Sequence, residues 1–295
     1  MVGPWGGGNK TVSALAKVLS LNGHDVVYSL WDGGIDVLFC FDPRPNHCGE
    51  DYSDILNYRS RFGGKIIQRV GDLGTHGKPE LTYMAIRAMQ FSDFVIFPSE
   101  WAHQSSKFKG KNYSIIHNAP LEAFYEFRNL KPNNSKLQLI THHWSTNPKK
   151  GFQYYELLDR NLVGEFCDFT YVGRLPSNFK FKNSTHIEAT GDISLLSQKL
   201  SNSDLYITAS EEEAGANHVL EAMAAGLPVV YHSNGGSIRD YCKGYGVEFD
   251  SRESLLRKVK YMSNNLGIYA KRVEGYQNKI QNVMEEYMGL ICDIS

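Results

Sequence analysis

The sequence has almost no net charge: 31 Lys and Arg stand against 32 Asp and Glu in 295 residues, a formal −1. That excludes a broad cationic field, and with it any general attraction to nucleic acid or anionic lipid. The basic run Lys107-Phe108-Lys109-Gly110-Lys111 reads as solvated surface, with contact at a membrane periphery the lesser reading. Cysteine is scarce and odd in number. Cys40, Cys48, Cys167, Cys242 and Cys292 are irregularly spaced, with no Cys-x-x-Cys. This argues against a disulfide framework or a zinc site and for a reducing compartment. No apolar run reaches the ~20 residues of a membrane helix, and no signal peptide is expected. The chain is therefore placed in the cytosol, where the sequon Asn183-Ser184-Thr185 has no evident use. No Gly-x-Gly-x-x-Gly follows a strand, so a nicotinamide-binding Rossmann reading fails. No serine-histidine-aspartate order, helical metal-ligand motif, repeat or low-complexity tract stands out.

What is present is ordinary globular composition, 42% hydrophobic and 21% charged, in a chain long enough for two domains. Short apolar runs alternate with helical stretches, which argues α/β architecture with parallel sheets. Val12, Leu15, Ala16, Val18 and Leu19 make one helical face over Lys10 to Asn22, stopped by Gly23. Strands are expected at Val26–Leu30, Val37–Phe41, Lys65–Arg69, Phe94–Phe97 and Ser114–His117, with helices near Tyr52–Phe62, Pro79–Phe91 and Ser99–Lys107. Lys131-Pro132-Asn133-Asn134-Ser135 reads as a linker. A second alternation follows, with strands at Leu137–Thr141, Asp168–Val172, Asp204–Ala209, Pro228–Tyr231 and Val247–Phe249. Its helices are Phe152–Leu162, Ser194–Leu200 and Asn217–Ala225, and the last forty or so residues read as two more.

The densest signal is Ser210 to Val230, SEEEAGANHVLEAMAAGLPVV. Glu213 and Glu221 are separated by seven residues, behind a strand and a glycine and ahead of a helix-forming run. Backbone N–H groups at a helix start after such a turn can hold a phosphate, and carboxylates beside them suit the hydroxyls of a sugar or ribose. If the interval were helical throughout, the glutamates would lie roughly 12 Å apart. That is too far for the paired carboxylates of a glycosidase, ~5 Å or ~6.5–9.5 Å. A second loop, Thr141-His142-His143-Trp144-Ser145-Thr146-Asn147-Pro148-Lys149-Lys150-Gly151, follows another strand. Its lysines could stabilise negative charge on a leaving phosphate.

Together these residues resemble the signature of the glycosyl transferases group 1 family, retaining, nucleotide-sugar-dependent enzymes of the GT-B fold, GT4-like. The resemblance implies two Rossmann-like domains with parallel sheets facing across a cleft. Residues 1–125 would form the acceptor-side domain, 126–275 the nucleotide-sugar domain, and 276–295 a helix packing back toward the first. It implies that Glu213 contacts the donor sugar and Glu221 the ribose, with Gly215, Ala216 and Asn217 at the helix start. Lys150 and Lys149 would grip the diphosphate. The family's arginine in that loop is absent, and His142, His143 and Trp144 occupy its neighbourhood, making His143 a donor contact. Arg174 would face phosphate or base, Ala189 and Thr190 the base edge, and Gly7 and Gly8 the donor phosphates. His76 and Asp72, in Arg69-Val70-Gly71-Asp72-Leu73-Gly74-Thr75-His76, would orient the acceptor hydroxyl. Asn118 is read as architecture.

Two departures stand out. Ala214 replaces the family's aromatic, and only Met1 and Val2 precede the glycine loop where the family has a full strand, so a shortened start is expected. No Asp-x-Asp occurs, which suits the metal-independent chemistry of this fold. No cofactor or metal is expected. The expected activity is sugar transfer, in a process such as polysaccharide biosynthesis, from a nucleotide-diphosphate sugar, UDP favoured, to a hydroxyl of a glycan, lipid or small molecule. The alternatives are a non-catalytic nucleotide-sugar-binding protein and a nucleotide-sugar epimerase.

Overall fold

The computed structural model describes residues 7–46, 49–128 and 135–295. Met1 and Val2, Gly6 of the glycine loop, Cys48, and Lys131 to Asn134 of the expected linker lie outside them. The chain divides into two units, one of Gly7–Asn118 with Ile280–Ser295, the other of Ala119–Lys279. Among the described residues no helix is long and apolar enough to cross a membrane.

The first unit begins with α1 (Gly7–Leu21). It continues through β1 (Val37–Cys40), α2 (Tyr52–Phe62), β2 (Lys65–Arg69), α3 (Pro79–Phe91), β3 (Phe94–Phe97), α4 (Glu100–Ser106) and β4 (Tyr113–Ile115). Its strands run parallel in the order β1-β2-β3-β4, with Phe39 beside Ile67 and Val95 beside Tyr113. Ile66 and Ile67, like Val95, Ile96 and Phe97, are buried without alternation, as a sheet covered on both faces requires. Side chains fix the helix starts: Asp51 and Asp54 form a reciprocal cap on α2, and Ser99 Oγ accepts from the Ala102 N–H on α4.

Two expectations for this unit need correction. Val26–Leu30 is not a strand. It leads into a short 3-10 turn, Leu30–Asp32, and Val27 and Tyr28 stand exposed. An apolar, β-branched run becomes a strand only where a neighbouring strand can accept its hydrogen bonds. Gly7 and Gly8 also do not form a loop ahead of Lys10, because α1, Gly7–Leu21, holds both in its first turn.

The second unit contains β5 (Leu137–His143), α5 (Phe152–Asn161), β6 (Cys167–Gly173), β7 (Thr185–Ile187), α6 (Ile193–Ser201), β8 (Leu205–Thr208) and α7 (Asn217–Ala224). It ends with β9 (Val229–His232), α8 (Ser237–Cys242), β10 (Gly246–Phe249), α9 (Arg252–Asn264) and α10 (Leu266–Glu274). The six strands are parallel, in the order β10-β9-β8-β5-β6-β7. Successive residues of a strand feed opposite cores. Leu205 and Ile207 pack with Phe152, Tyr155 and Leu158 of α5 and with Leu255 and Val259 of α9. Tyr206 packs with Leu200 of α6, Val219 and Met223 of α7, and Ile238 of α8. The chain builds outward from β5 in one direction through β6 and β7, then returns to build β8, β9 and β10 in the other. The order therefore reverses between β5 and β8.

Phe124 of the turn Glu122–Tyr125, with Leu121 just ahead of it, packs into the core of this second unit, and the Tyr125 hydroxyl donates to the Asn278 carbonyl at 2.7 Å. These contacts place the division after Asn118 rather than at 125. The last residues form not two helices but α9, α10 and α11 (Ile280–Ile294), broken at Asn265 and at Gly275. α11 packs against α1 in the first unit. There Arg69, buried at the end of β2, donates from Nε to the Tyr287 hydroxyl at 3.4 Å and from Nη2 to Asn118 Oδ1 at 2.5 Å.

Asp159, near the end of α5, holds the approach to β7. Its carboxylate accepts the N–H groups of Lys182, Asn183 and Ser184 and the Ser184 hydroxyl, at 2.6–2.8 Å. Burial pushes its pKa up, but these hydrogen bonds outweigh burial and hold it below the ordinary value. Its contribution is therefore present above the unfolded value of about 3.9 and lost as pH falls through the lower folded one. Asp159→Asn is expected to cost about 2–3 kcal/mol at neutral pH. In urea titrations the gap to wild type should close on acidification below about pH 4.

Candidate active site

The residues singled out in the second unit gather where its strand order reverses, at the C-terminal ends of β5 and β8. That is where open parallel sheets leave a crevice for ligands. After β5 the chain makes a 3-10 turn, Pro148–Lys150, whose start is capped by Asn147 Oδ1 accepting from the Lys149 N–H at 2.9 Å. Gly151 ends the turn with φ of 78°, and a Cβ there would lie 2.5 Å from the Ala209 side chain. Only glycine lets the lysine turn approach the end of β8 this closely.

From the other side, Glu211 to Glu213 follow β8. The Glu211 N–H donates to the Lys149 carbonyl at 2.9 Å, the Glu212 N–H to Asn234 at 2.8 Å, and the Ser237 N–H to the Glu213 carbonyl at 2.9 Å. Backbone bonds thus fix the glutamates before their side chains meet anything. Lys150 Nζ pairs with Glu213 Oε1, both side chains largely buried, and Lys149 pairs with Glu212 at 2.5 Å nearer the surface. Glu212 takes φ of 54°, a left-handed conformation unusual for a side chain of its kind. Glu213 lies ahead of α7, which starts at Asn217, so the interval to Glu221 is not helical throughout and the 12 Å expectation does not apply.

Beneath the ion pair is a floor of histidines and tyrosines. His142 Nε2 stands 2.8 Å from Glu221 Oε2 on α7, both groups buried. Tyr206 places its hydroxyl 3.1 Å from His142 Nδ1. His143 Nε2 lies 2.5 Å from the Tyr155 hydroxyl, which also accepts the Ala209 N–H at 3.0 Å, while His143 Nδ1 is buried with no hydrogen-bond partner. His218 Nε2 lies 3.0 Å from Thr208 Oγ1, with its ring 5.0 Å from that of His143. Burial first, then His218, Lys150 and His142, hold the His143 pKa well below its ordinary value. Burial also pushes His218 down to about 3, against the opposing pull of Glu213, and raises Tyr155 to about 12. His143 and His218 are thus neutral at physiological pH, so the fixed charge of the site resides in the lysines and glutamates.

The other expected residues of the second unit lie at the start of α7 and beyond the ends of β6 and β7. Gly215, Ala216 and Asn217 form the entry to α7, which carries no side-chain cap, and the Ala216 N–H donates to Ser237 Oγ at 3.0 Å. Ala214 is buried. Arg174, just past β6, stacks its guanidinium 4.2 Å from the Trp144 ring, and Gly173 before it has φ of 142° with no room for a Cβ against the His143 carbonyl. Ala189 and Thr190 follow β7, and Thr190 Oγ1 accepts from the Asp192 N–H at the start of α6. Gly7, Gly8, Asp72 and His76 belong to the first unit. Asp72 accepts from the Gly74 N–H and from Lys78 Nζ, both at 2.8 Å. Burial raises its pKa, but those bonds outweigh burial and keep it lowered.

Sequence reasoning placed His142 only in the neighbourhood of a missing arginine, and it passed over Tyr155, Tyr206 and His218. His218 stood within the motif itself, so a histidine at the start of a helix that follows a carboxylate was the available signal.

This fold is GT-B, as comparison with solved structures shows. Sucrose-phosphate synthase from Thermosynechococcus elongatus is 12% identical, with a TM-score of 0.72 over 98% of this chain and 94% of its own. WaaG, a glycosyltransferase involved in lipopolysaccharide biosynthesis, is 15% identical, with a TM-score of 0.70 over 98% and 97%. Anabaena HepE in complex with UDP-glucose is 14% identical, with a TM-score of 0.68 over 95% and 82%. Residues 153–265 match the glycosyl transferases group 1 family. No curated protein sequence matches this chain.

Two outcomes test the electrostatics. Lys150→Met and Glu213→Gln should each destabilise by about 3 kcal/mol, because each strands a largely buried charge or its partner. The double variant should cost less than their sum by about 1–3 kcal/mol in urea unfolding. For His143 and His218 the folded pKa is depressed, so their contribution is intact above the unfolded value near 6.5 and falls as pH drops below it. For His218 stability should therefore fall by about 1.4 kcal/mol per pH unit between pH 6 and pH 4, with His143 adding a loss of the same sign, and His218→Asn should remove the His218 share of that slope.

Proposed function

We propose that the protein is a retaining glycosyltransferase that moves a hexosyl group from a nucleoside-diphosphate sugar to a hydroxyl of a glycan, lipid or small molecule. The observation that carries this reading is the Lys150–Glu213 pair at the strand-order reversal, with Glu221 set behind it on α7. The match of residues 153–265 to a glycosyltransferase family supports it, as does the UDP-glucose held by HepE. UDP-sugars are the first donors to try.

In this reading Lys150 and Lys149 face the diphosphate and supply the positive charge that a divalent ion would otherwise provide. Glu213 addresses the sugar hydroxyls and Glu221 those of the ribose, while Ala189 and Thr190 flank the base and Arg174 on Trp144 borders it. Gly7 and Gly8, in the first turn of α1, are assigned by the same reading to the donor phosphates. Asp72 and His76 belong to the acceptor side. The anomeric carbon exchanges its bond to the phosphate oxygen for one to the acceptor oxygen on the same face. The acceptor proton passes to the departing phosphate. The protein's contribution is alignment and electrostatics, with no carboxylate nucleophile. The chemistry needs no cofactor, and the enzyme works in the cytoplasm or at a membrane periphery, as in polysaccharide biosynthesis.

Thermal unfolding with UDP, GDP, ADP and CDP and their sugars tests this. One nucleotide class should raise the melting temperature, and Glu221→Ala should abolish the rise. Glu213→Gln should bind the same donor yet transfer nothing. No response to any nucleoside diphosphate would sink the reading.

A further inference from the structure

Glu221 sits in a surrounding that helix packing alone does not demand. Its carboxylate and the His142 imidazole are both buried and 2.8 Å apart, joining α7 to the end of β5. A buried ionisable pair is a poor stabiliser, since apolar side chains of similar volume commonly do as well or better. What such a pair supplies is orientation. Tyr206 holds both the backbone and the ring of His142. The His142 N–H donates to the Tyr206 hydroxyl at 3.1 Å, that hydroxyl lies 3.1 Å from Nδ1 and 3.2 Å from the His142 carbonyl, and the Tyr206 ring meets the imidazole edge-on at 5.5 Å. With a carboxylate that can only accept facing Nε2, the proton of a neutral imidazole sits on Nε2 and points at Glu221 Oε2, leaving Nδ1 to accept from the Tyr206 hydroxyl. Tyr206, His142 and Glu221 thus form a line from β8 through β5 to α7, and all three lie within one unit.

We infer that His142 is a positioning residue that fixes the Glu221 carboxylate for recognition of the ribose hydroxyls, and that it therefore sets the preference for ribo- over deoxyribonucleotides. This rests on the donor reading of Glu221 above. The effect is sharper than affinity alone. A carboxylate locked at one oxygen presents the other in a single direction, whereas a loosened one accepts a missing hydroxyl with little loss.

The test measures dissociation constants by calorimetry for UDP and 2′-deoxy-UDP, or the matching pair for whichever base binds. Wild type, His142→Leu, His142→Gln and Tyr206→Phe are compared. Wild type should favour the ribonucleotide by about tenfold or more, the worth of one hydrogen bond to a charged group. His142→Leu should bring the two constants within about twofold of each other, chiefly by weakening the ribonucleotide. His142→Gln keeps an N–H donor at the place of Nε2 and should restore most of the preference. Tyr206→Phe leaves both partners in place and removes only the hydroxyl behind the ring. It should lower the preference, and it carries the test if His142→Leu does not fold. Equal weakening of both nucleotides, or an unchanged preference, in His142→Leu or in Tyr206→Phe would overturn the inference and leave His142 a packing residue. Wild type that binds no nucleoside diphosphate overturns the donor reading itself, and this inference with it. That outcome is distinct from a discriminating wild type with equally discriminating variants.

Discussion

Between β5 and β8 two neighbouring parallel strands hand the chain to helices on opposite faces of the sheet, α5 on one and α7 on the other. No helix can cover both strand ends at once, so the carboxyl ends of β5 and β8 stay open. The lysine turn after β5, the glutamate loop after β8 and the first turns of α7 all occupy that gap. The same reversal brings His142 and Glu221 together, although 79 residues separate them in the chain. Remove the reversal and these groups have no reason to meet.

The charge arrangement follows from burial. The inner part of the site contains groups that burial keeps neutral, namely His143, His218, Tyr155 and Tyr206. Above them the ionised lysines and glutamates are paired in two steps, one enclosed and one nearer solvent. Neutral buried groups beneath the paired charges keep the local dielectric low where attraction to a phosphate would act, and low dielectric magnifies each charge. An entering phosphate would compete with Glu213 for Lys150. Under the proposed function, the free site holds its own anion where the donor's would arrive.

The parts of the fold legible in the sequence were those whose signal is local. Ile66-Ile67, Val95-Ile96-Phe97 and Leu205-Tyr206-Ile207 are unbroken apolar runs that only a doubly covered strand can bury, and each became one. Val26–Leu30 is a comparable apolar run, yet it leads into a 3-10 turn and leaves Val27 and Tyr28 exposed, an outcome that nothing within the run announces. The glutamates and the lysines of the loop after β5 were visible through spacing and through a resemblance. The reason for Gly151, its approach to Ala209, was not visible, because it joins positions 58 apart in chain order. His142 could be seen as a residue but not as a partner. A histidine's role depends on what faces each ring nitrogen, and here those groups come from β8 and α7.

The approach of Gly151 to Ala209 also bears on how this sequence can change over time. A Cβ at 151 would collide with the carbonyl oxygen of Ala209 as closely as with its side chain, 2.5 Å in each case, so no change of side chain at 209 makes room for one. A larger residue at 151 would lift the lysine turn from the end of β8 and carry Lys150 away from Glu213. Relatives that alter Gly151 should therefore be found to have rebuilt the turn as well.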